Sequence, residues 1–263
     1  MFAPFYLHFA PDVWRRALMQ AVARWWHLIH FGTIVLVLAL SPATYKRANR
    51  VTLSRHIYTS TWQVLPWFTA LAALLSLVLI RIVVMTALSY GLSQYALEMV
   101  VRVLVLELIP LSAALYVALR AGLAFNAGAT DHARPDPAGV PPRLSLTHLR
   151  QQLVPRVLAG AFSVLTLAMV SSVIALVLAY LTVYGLSPWG LVGYTRTVGH
   201  VFNPAVTLGF GLKTIFFSLA VAVVPLAASL EHRPRASTIQ PGAVRLLLVL
   251  ILIETASLAI KYI

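Results

Sequence analysis

Cysteine is absent from this chain, and charge is scarce and one-sided. Without a thiol anywhere in 263 residues, disulfides, thiol nucleophiles and Cys-ligated metals are excluded. Only 10% of the residues are charged and 60% are hydrophobic, where a soluble domain carries about 25% charged residues. That much apolar surface cannot be hidden in one soluble core, so the chain reads as an integral membrane protein. Acidic residues are the scarcest class, 7 Asp+Glu against 20 Lys+Arg, for a formal charge of +13. A basic balance also suits nucleic acid, but in a membrane chain it belongs to loops on the cytoplasmic side, beside anionic lipid. No nucleic-acid partner is expected. The phosphate-cradling G-x-x-x-x-G-K-[ST] and the zinc-binding H-E-x-x-H are both missing. His8 with Asp12 and His132 with Asp136 are each one residue too close for the H-x-x-x-x-D of membrane acyltransferases. No catalytic site, metal or cofactor is expected.

What is present is long apolar runs. A membrane helix needs about 20 apolar residues, and five segments qualify: 66–88, 97–119, 157–181, 205–230 and 243–263. A sixth, 31–40, is too short to span and suits an interfacial or re-entrant segment. Lys and Arg are dense before the first span, absent from 89–96, and dense again after the second span (Arg134, Arg143, Arg150). Only Arg196 follows the third, while Arg233 and Arg235 follow the fourth. This alternation predicts a cytoplasmic N-terminus and an outside C-terminus. The expected fold is therefore all-α: five transmembrane helices, N-in/C-out, preceded by an N-terminal amphipathic interfacial helix. Residues 1–62 form the interfacial and elbow segment, and 63–263 the five-helix domain. The basic, Trp-rich stretch 11–31, with Trp14, Leu18, Val22, Trp25 and Leu28 at helical spacing, supplies the interfacial helix. Within 126–150 a cytoplasmic loop is expected, because Pro135, Pro137, Pro141 and Pro142 forbid a continuous helix. Ser145 is placed to cap a short helix after it. Trp62, Trp67, Trp189 and Tyr194 lie near span ends, as interface anchors do.

Ionisable residues inside the spans are the candidate functional groups, since charge in a bilayer is costly. Glu107 and Glu254 fall near the midplane, while Arg81, Arg102 and Lys213 fall toward the outside. Three readings stand for the cations. They can line an outward-opening cavity that holds an anionic headgroup, for which the planar fork of Arg is suited. They can pair with acids, as Glu98 with Arg102 at i, i+4 or Glu107 with a cation on another span. Or Arg102 and Lys213 can snorkel to the outer headgroups. Arg81, with no acidic neighbour in sequence, is the leading headgroup candidate. Pro110 and Pro225 lie within spans and kink them.

Residues 106–122, LELIPLSAALYVALRAG, carry a family resemblance. Glu107, Leu108, Pro110, Ala113, Ala114, Leu115, Ala118, Arg120, Ala121 and Gly122 fit the pattern E-L-x-P-x-x-A-A-L-x-x-A-x-R-A-G. That pattern resembles the signature helix of MlaE/YrbE-type permeases, the membrane subunits of ABC systems that move phospholipid with MCE-domain proteins. Further similar stretches are RHIY at 55–58, PRVLAG at 155–160 and LKTIFF at 212–217. The resemblance implies a phospholipid substrate and a second permease copy, as a homodimer or pseudo-dimer with lipid between the copies. It also implies a separate cytoplasmic ABC ATPase, a periplasmic MCE-domain protein and a place in the bacterial inner membrane. Ser145, His148 and Arg150 are then the ATPase-facing candidates. The family's acidic, E-Q-containing coupling helix has no counterpart in 126–142. This departure motivates an alternative, an accessory permease-like subunit with weak or no ATPase coupling. The two midplane carboxylates motivate another, an ion- or proton-coupled carrier.

Overall fold

The computed structural model of the protein describes residues 58–131, 154–230 and 241–262, with isolated positions at 19, 26, 30, 32–34 and 37. Among these residues the secondary structure is helical, with no strand. Five helices are long and apolar enough to cross a membrane: Leu65–Ser89, Tyr95–Ala121, Val154–Tyr184, Pro204–Ala227 and Gly242–Lys261. Each expected span is found, with ends within a few residues of those read from hydropathy. We label the elements α1 (Leu65–Ser89), α2 (Ser93–Val100), α3 (Ile109–Asp131), α4 (Val154–Tyr184), α5 (Leu191–Val201), α6 (Pro204–Leu230) and α7 (Pro241–Tyr262). Between α2 and α3 runs a π-helical segment, Val101–Leu108, so span two is α2, this segment and α3 in series.

The local sequence explains where the helices start and stop. Pro66 sits in the first turn of α1, where its missing N–H is not needed. Gly91 and Gly185 adopt φ of 71° and 65° at the turns after α1 and α4, a region most side chains avoid. Asn203 caps α6, its Oδ1 accepting from the Val206 N–H at 2.8 Å, with Pro204 opening the helix. Pro225 is accommodated inside α6.

Two features depart from the sequence reading. The helix continues to Asp131, so 126–131 belong to α3 and not to the expected loop. The first proline after span two is Pro135, and nothing before it stops the helix. The connection after span three, expected as a loop, contains the helix α5. At the N-terminal side, the described positions between 19 and 37 are helical. Gly32 lies so close to α6 that an added Cβ would stand 3.3 Å from Val223 Cγ1. The rest of the expected interfacial helix lies outside the described residues, as do Ser145, His148 and Arg150.

Spans three and four form the centre, with α1 against α4 and α7 against α6; span two packs across all four. Two apolar layers result. One joins Phe68, Ala113, Ala114, Val117, Leu167, Phe217, Val221 and Leu250 from all five spans. The other joins Ile80, Val100, Val101, Leu104, Val105, Ala175, Ala179 and Val201. Small residues at the crossings let the backbones approach closely, which supplies packing where lipid gives no hydrophobic drive. Glu107 lies between Leu106 and Ile109 of the second layer, and Ala113 of the first follows one turn later.

Candidate functional site: a buried ion cluster between the apolar layers

Four charged side chains from three spans meet where the layers join. Lys213 of α6 is 3% exposed and pairs with Glu107 of the π segment. Glu254 of α7 brings its Oε2 to 2.8 Å from Lys213 Nζ. Lys261, also on α7, donates to Glu107 Oε1 at 2.8 Å. The order Lys261–Glu107–Lys213–Glu254 alternates in sign and sums to zero, so the bilayer interior holds no net charge there. Isolated, any one of these groups would be strongly disfavoured in hydrocarbon; alternation makes them tolerable.

The backbone contributes as well. Lys213 Nζ donates to the Leu106 carbonyl at 3.3 Å. In an α-helical ladder that carbonyl would pair with residue 110, but Pro110 has no N–H to give. The π segment ends one residue earlier, with the Ile109 N–H on the Leu104 carbonyl. π turns concentrate at functional sites because they turn side chains out of the α register. Here both Arg102 and Glu107 ride on one. Lys213 also stands 5.7 Å from the centre of the Phe217 ring, a distance at which the ring face attracts a cation.

The hydrogen bonds of Lys213 grade its two acids. Its bond to Glu107 is a charge-assisted hydrogen bond. Glu254 Oε2, although close, has no aligned hydrogen bond. Glu254 is thus held by charge, and Glu107 by charge and geometry together.

The sequence candidates therefore separate. Glu107, Pro110, Lys213 and Glu254 come together. Lys213, expected as a headgroup contact, is instead enclosed by three oxygens that match its three N–H donors in number. Arg102 bonds Glu98 at 2.7 Å, the i, i+4 pairing that their spacing allows. Arg81 stands apart on the exposed face of α1. Leu108 is exposed, Arg120 is half-buried, and the backbone at Gly122 is helical. Lys261 escaped the sequence reading, although it lies seven residues after Glu254, two turns along one helix face. Its place near the end of an apolar run hid its part in the interior.

Tyr194 also differs from its expected role as an interface anchor. It points inward, donating its hydroxyl to the Leu176 carbonyl at 2.8 Å. Its ring packs edge-on against Tyr180 and Tyr184. Burial pushes the phenol up to about 12.

The sequence profile of the family described as permease MlaE matches residues 53–260, most of the chain and all five spans. No curated protein matches it.

Proposed function

We propose, because this chain belongs to the MlaE permease family, that it is the membrane subunit of an ABC-type phospholipid transport system. It is a multi-pass membrane permease, a transport subunit. In the proposed reading ATP is hydrolysed by a separate cytoplasmic chain, a periplasmic MCE-domain protein passes lipid on, and two permease copies enclose the substrate. The protein sits in a bacterial inner membrane with its N-terminus in the cytoplasm, as the distribution of Lys and Arg argues.

The observation that carries this reading is the family match over 53–260. The ion cluster supports a division of labour within it. Glu107, Lys213, Glu254 and Lys261 satisfy one another and tie spans two, four and five into one body. With Lys213 in that cluster and Arg102 paired with Glu98, Arg81, exposed on α1, is the one of the three headgroup candidates offered to the lipid phosphate. Mutually paired acids also speak against a proton relay, which needs a carboxylate able to exchange its partner.

The test is purification from the native host in mild detergent, with the associated chains and lipids identified by mass spectrometry. Recovery with an ABC ATPase, an MCE-domain protein and phospholipid is expected. Recovery with a second permease or an MCE protein, and no ATPase, would replace this reading with the accessory-subunit one. Recovery of the chain alone would overturn both.

A further inference from the structure

The last span divides into two unlike halves at Glu254. Before it, Leu246 and Leu250 of α7 are buried in the layer that holds Phe68 and Phe217, and Val249 and Ile253 pack against that layer. After Ile253, no described residue of α7 belongs to either apolar layer. Thr255, Ala256, Ala259 and Ile260 are exposed. The neighbouring span leaves room beside the cluster too. Gly209 lies one turn before Lys213 on the same face of α6, and no atom stands within 4 Å of where its Cβ would be. Packing thus anchors the first half of α7. Ion pairs tie the second half to its neighbours, Glu254 to Lys213 and Lys261 to Glu107.

The Lys261 tie is unusual in its direction. Lys261 stands one residue from the end of α7, seven residues past Glu254 and about 10 Å further along the axis. A lysine so near a span end ordinarily extends to the interface, where water and headgroups meet its charge. Lys261 instead folds back toward the interior, as the tilt of the Cα–Cβ bond toward the helix N-terminus allows, and donates to Glu107 Oε1. Its ammonium therefore has two settings within reach of one side chain, a carboxylate inside and the interface outside.

The two lysines on Glu107 are not equivalent. The Lys213 side chain is 2% exposed and enclosed by three oxygens, whereas that of Lys261 is 15% exposed. When Lys261 leaves, Glu107 keeps Lys213, so no carboxylate is left without a cation. The remaining Glu107–Lys213–Glu254 set carries a net charge of −1, which draws the ammonium back. Departure is tolerated and return is favoured, as a contact with two populated states requires.

We propose that the Lys261–Glu107 pair is a releasable latch. Closed, it holds the half of α7 beyond Glu254 against span two. Open, Lys261 turns to the interface and that half swings away from the packed half, uncovering the Glu107 side of the ion cluster from within the membrane. This goes beyond the transport reading and does not depend on the cargo or on which chains assemble with this one.

The full chain, which has no cysteine of its own, takes nitroxide labels at M99C and I260C, exposed positions on α2 and at the end of α7. A second pair, L119C and V244C, exposed at the opposite ends of spans two and five, serves as reference. Dipolar distances are read in nanodiscs of phosphatidylethanolamine and phosphatidylglycerol. For M99C/I260C the chain with Lys261 is expected to give a main distance and a minor, longer one. K261M should move the population to the longer distance, by at least about 5 Å, half a helix diameter, with L119C/V244C unchanged. A distance that K261M leaves where it was would overturn the proposal. So would a single distance with Lys261 present, which would make the pair a fixed tie. A shift of both label pairs in K261M would overturn it as well, by making Lys261 a prop of the whole bundle.

Discussion

Lys213 gains its role from what surrounds it. Its ammonium has three donors, and three oxygens from two other spans stand around it. Removing one member of such a set strands its partners, which costs about 3–5 kcal/mol for a buried pair. Lys213→Met leaves Glu107 and Glu254 facing each other with only Lys261 between them in charge. We expect stability in detergent to fall by about that amount, read as loss of monodisperse protein on heating. Removing both charges of the Lys213–Glu254 pair restores balance: K213M/E254Q keeps the Lys261–Glu107 pair and a net charge of zero. It is expected to recover more than half of the loss. A double variant no better than K213M would show that packing, and not charge, dominates the site. The alignment of the two acids predicts a further order. Glu107→Gln, which disturbs two lysines, should destabilise the chain more than Glu254→Gln, whose Oε2 faces Lys213 without an aligned hydrogen bond.

At the scale of elements, Pro110 and the π segment act as one device. Pro110 removes a donor, the preceding turns widen, and the Leu106 carbonyl is left to Lys213. Pro110→Ala restores an N–H that can claim that carbonyl and favours α geometry by up to about 3 kcal/mol. The expected result is a chain that inserts normally and unfolds no earlier, yet moves lipid several-fold more slowly because Glu107 and Arg102 are re-aimed. Unchanged transfer would make the π segment incidental to transport. The aromatic clamp on α5 has its own signature. A phenol held near 12 stays neutral while ordinary tyrosines ionise near 10. Ionisation is disfavoured in the fold, so the clamp's contribution is complete below pH 10 and is lost as pH rises from 10 through 12. Titration followed at 295 nm should therefore lose its highest-pH phase in Y194F, and retention of that phase would place the raised phenol elsewhere. These elements also mark how far the sequence could be read. The five spans were legible because a run of about 20 apolar residues suits a bilayer crossing and little else. The π segment was not, since nothing in VRVLVLEL separates π from α spacing. Nor was α5, because Gly185, Pro188, Gly190, Gly193 and Gly199 read as turn residues. For Glu107 a cation on another span was one of the alternatives. Its identity was hidden because Lys213 lies over a hundred residues away and only the fold brings them together.

For the whole molecule, the arrangement gathers the paired charges between spans two, four and five and leaves the flanking spans open. Two apolar layers meet near a neutral ion cluster, and the spans that flank the centre, α1 and α7, are the least buried of the five. Those two spans therefore leave the most surface open to whatever meets the bundle. Arg81 stands exposed on one of them, next to Ile80, which is buried against the bundle. An Arg in a membrane span is costly unless something anionic meets it, and a phosphate accepts its bidentate fork well. Arg81→Glu reverses the charge without touching the ion cluster. It should leave insertion and thermal stability near those of the parent chain while lowering ATP-driven lipid transfer in reconstituted vesicles by at least about tenfold, or about 1.4 kcal/mol. Arg81→Lys keeps the charge but loses the planar fork, and an intermediate rate is expected. The stability readout makes the result decisive. Transfer lost together with stability would place Arg81 in the fold, whereas undiminished transfer by R81E would remove it from the lipid path altogether.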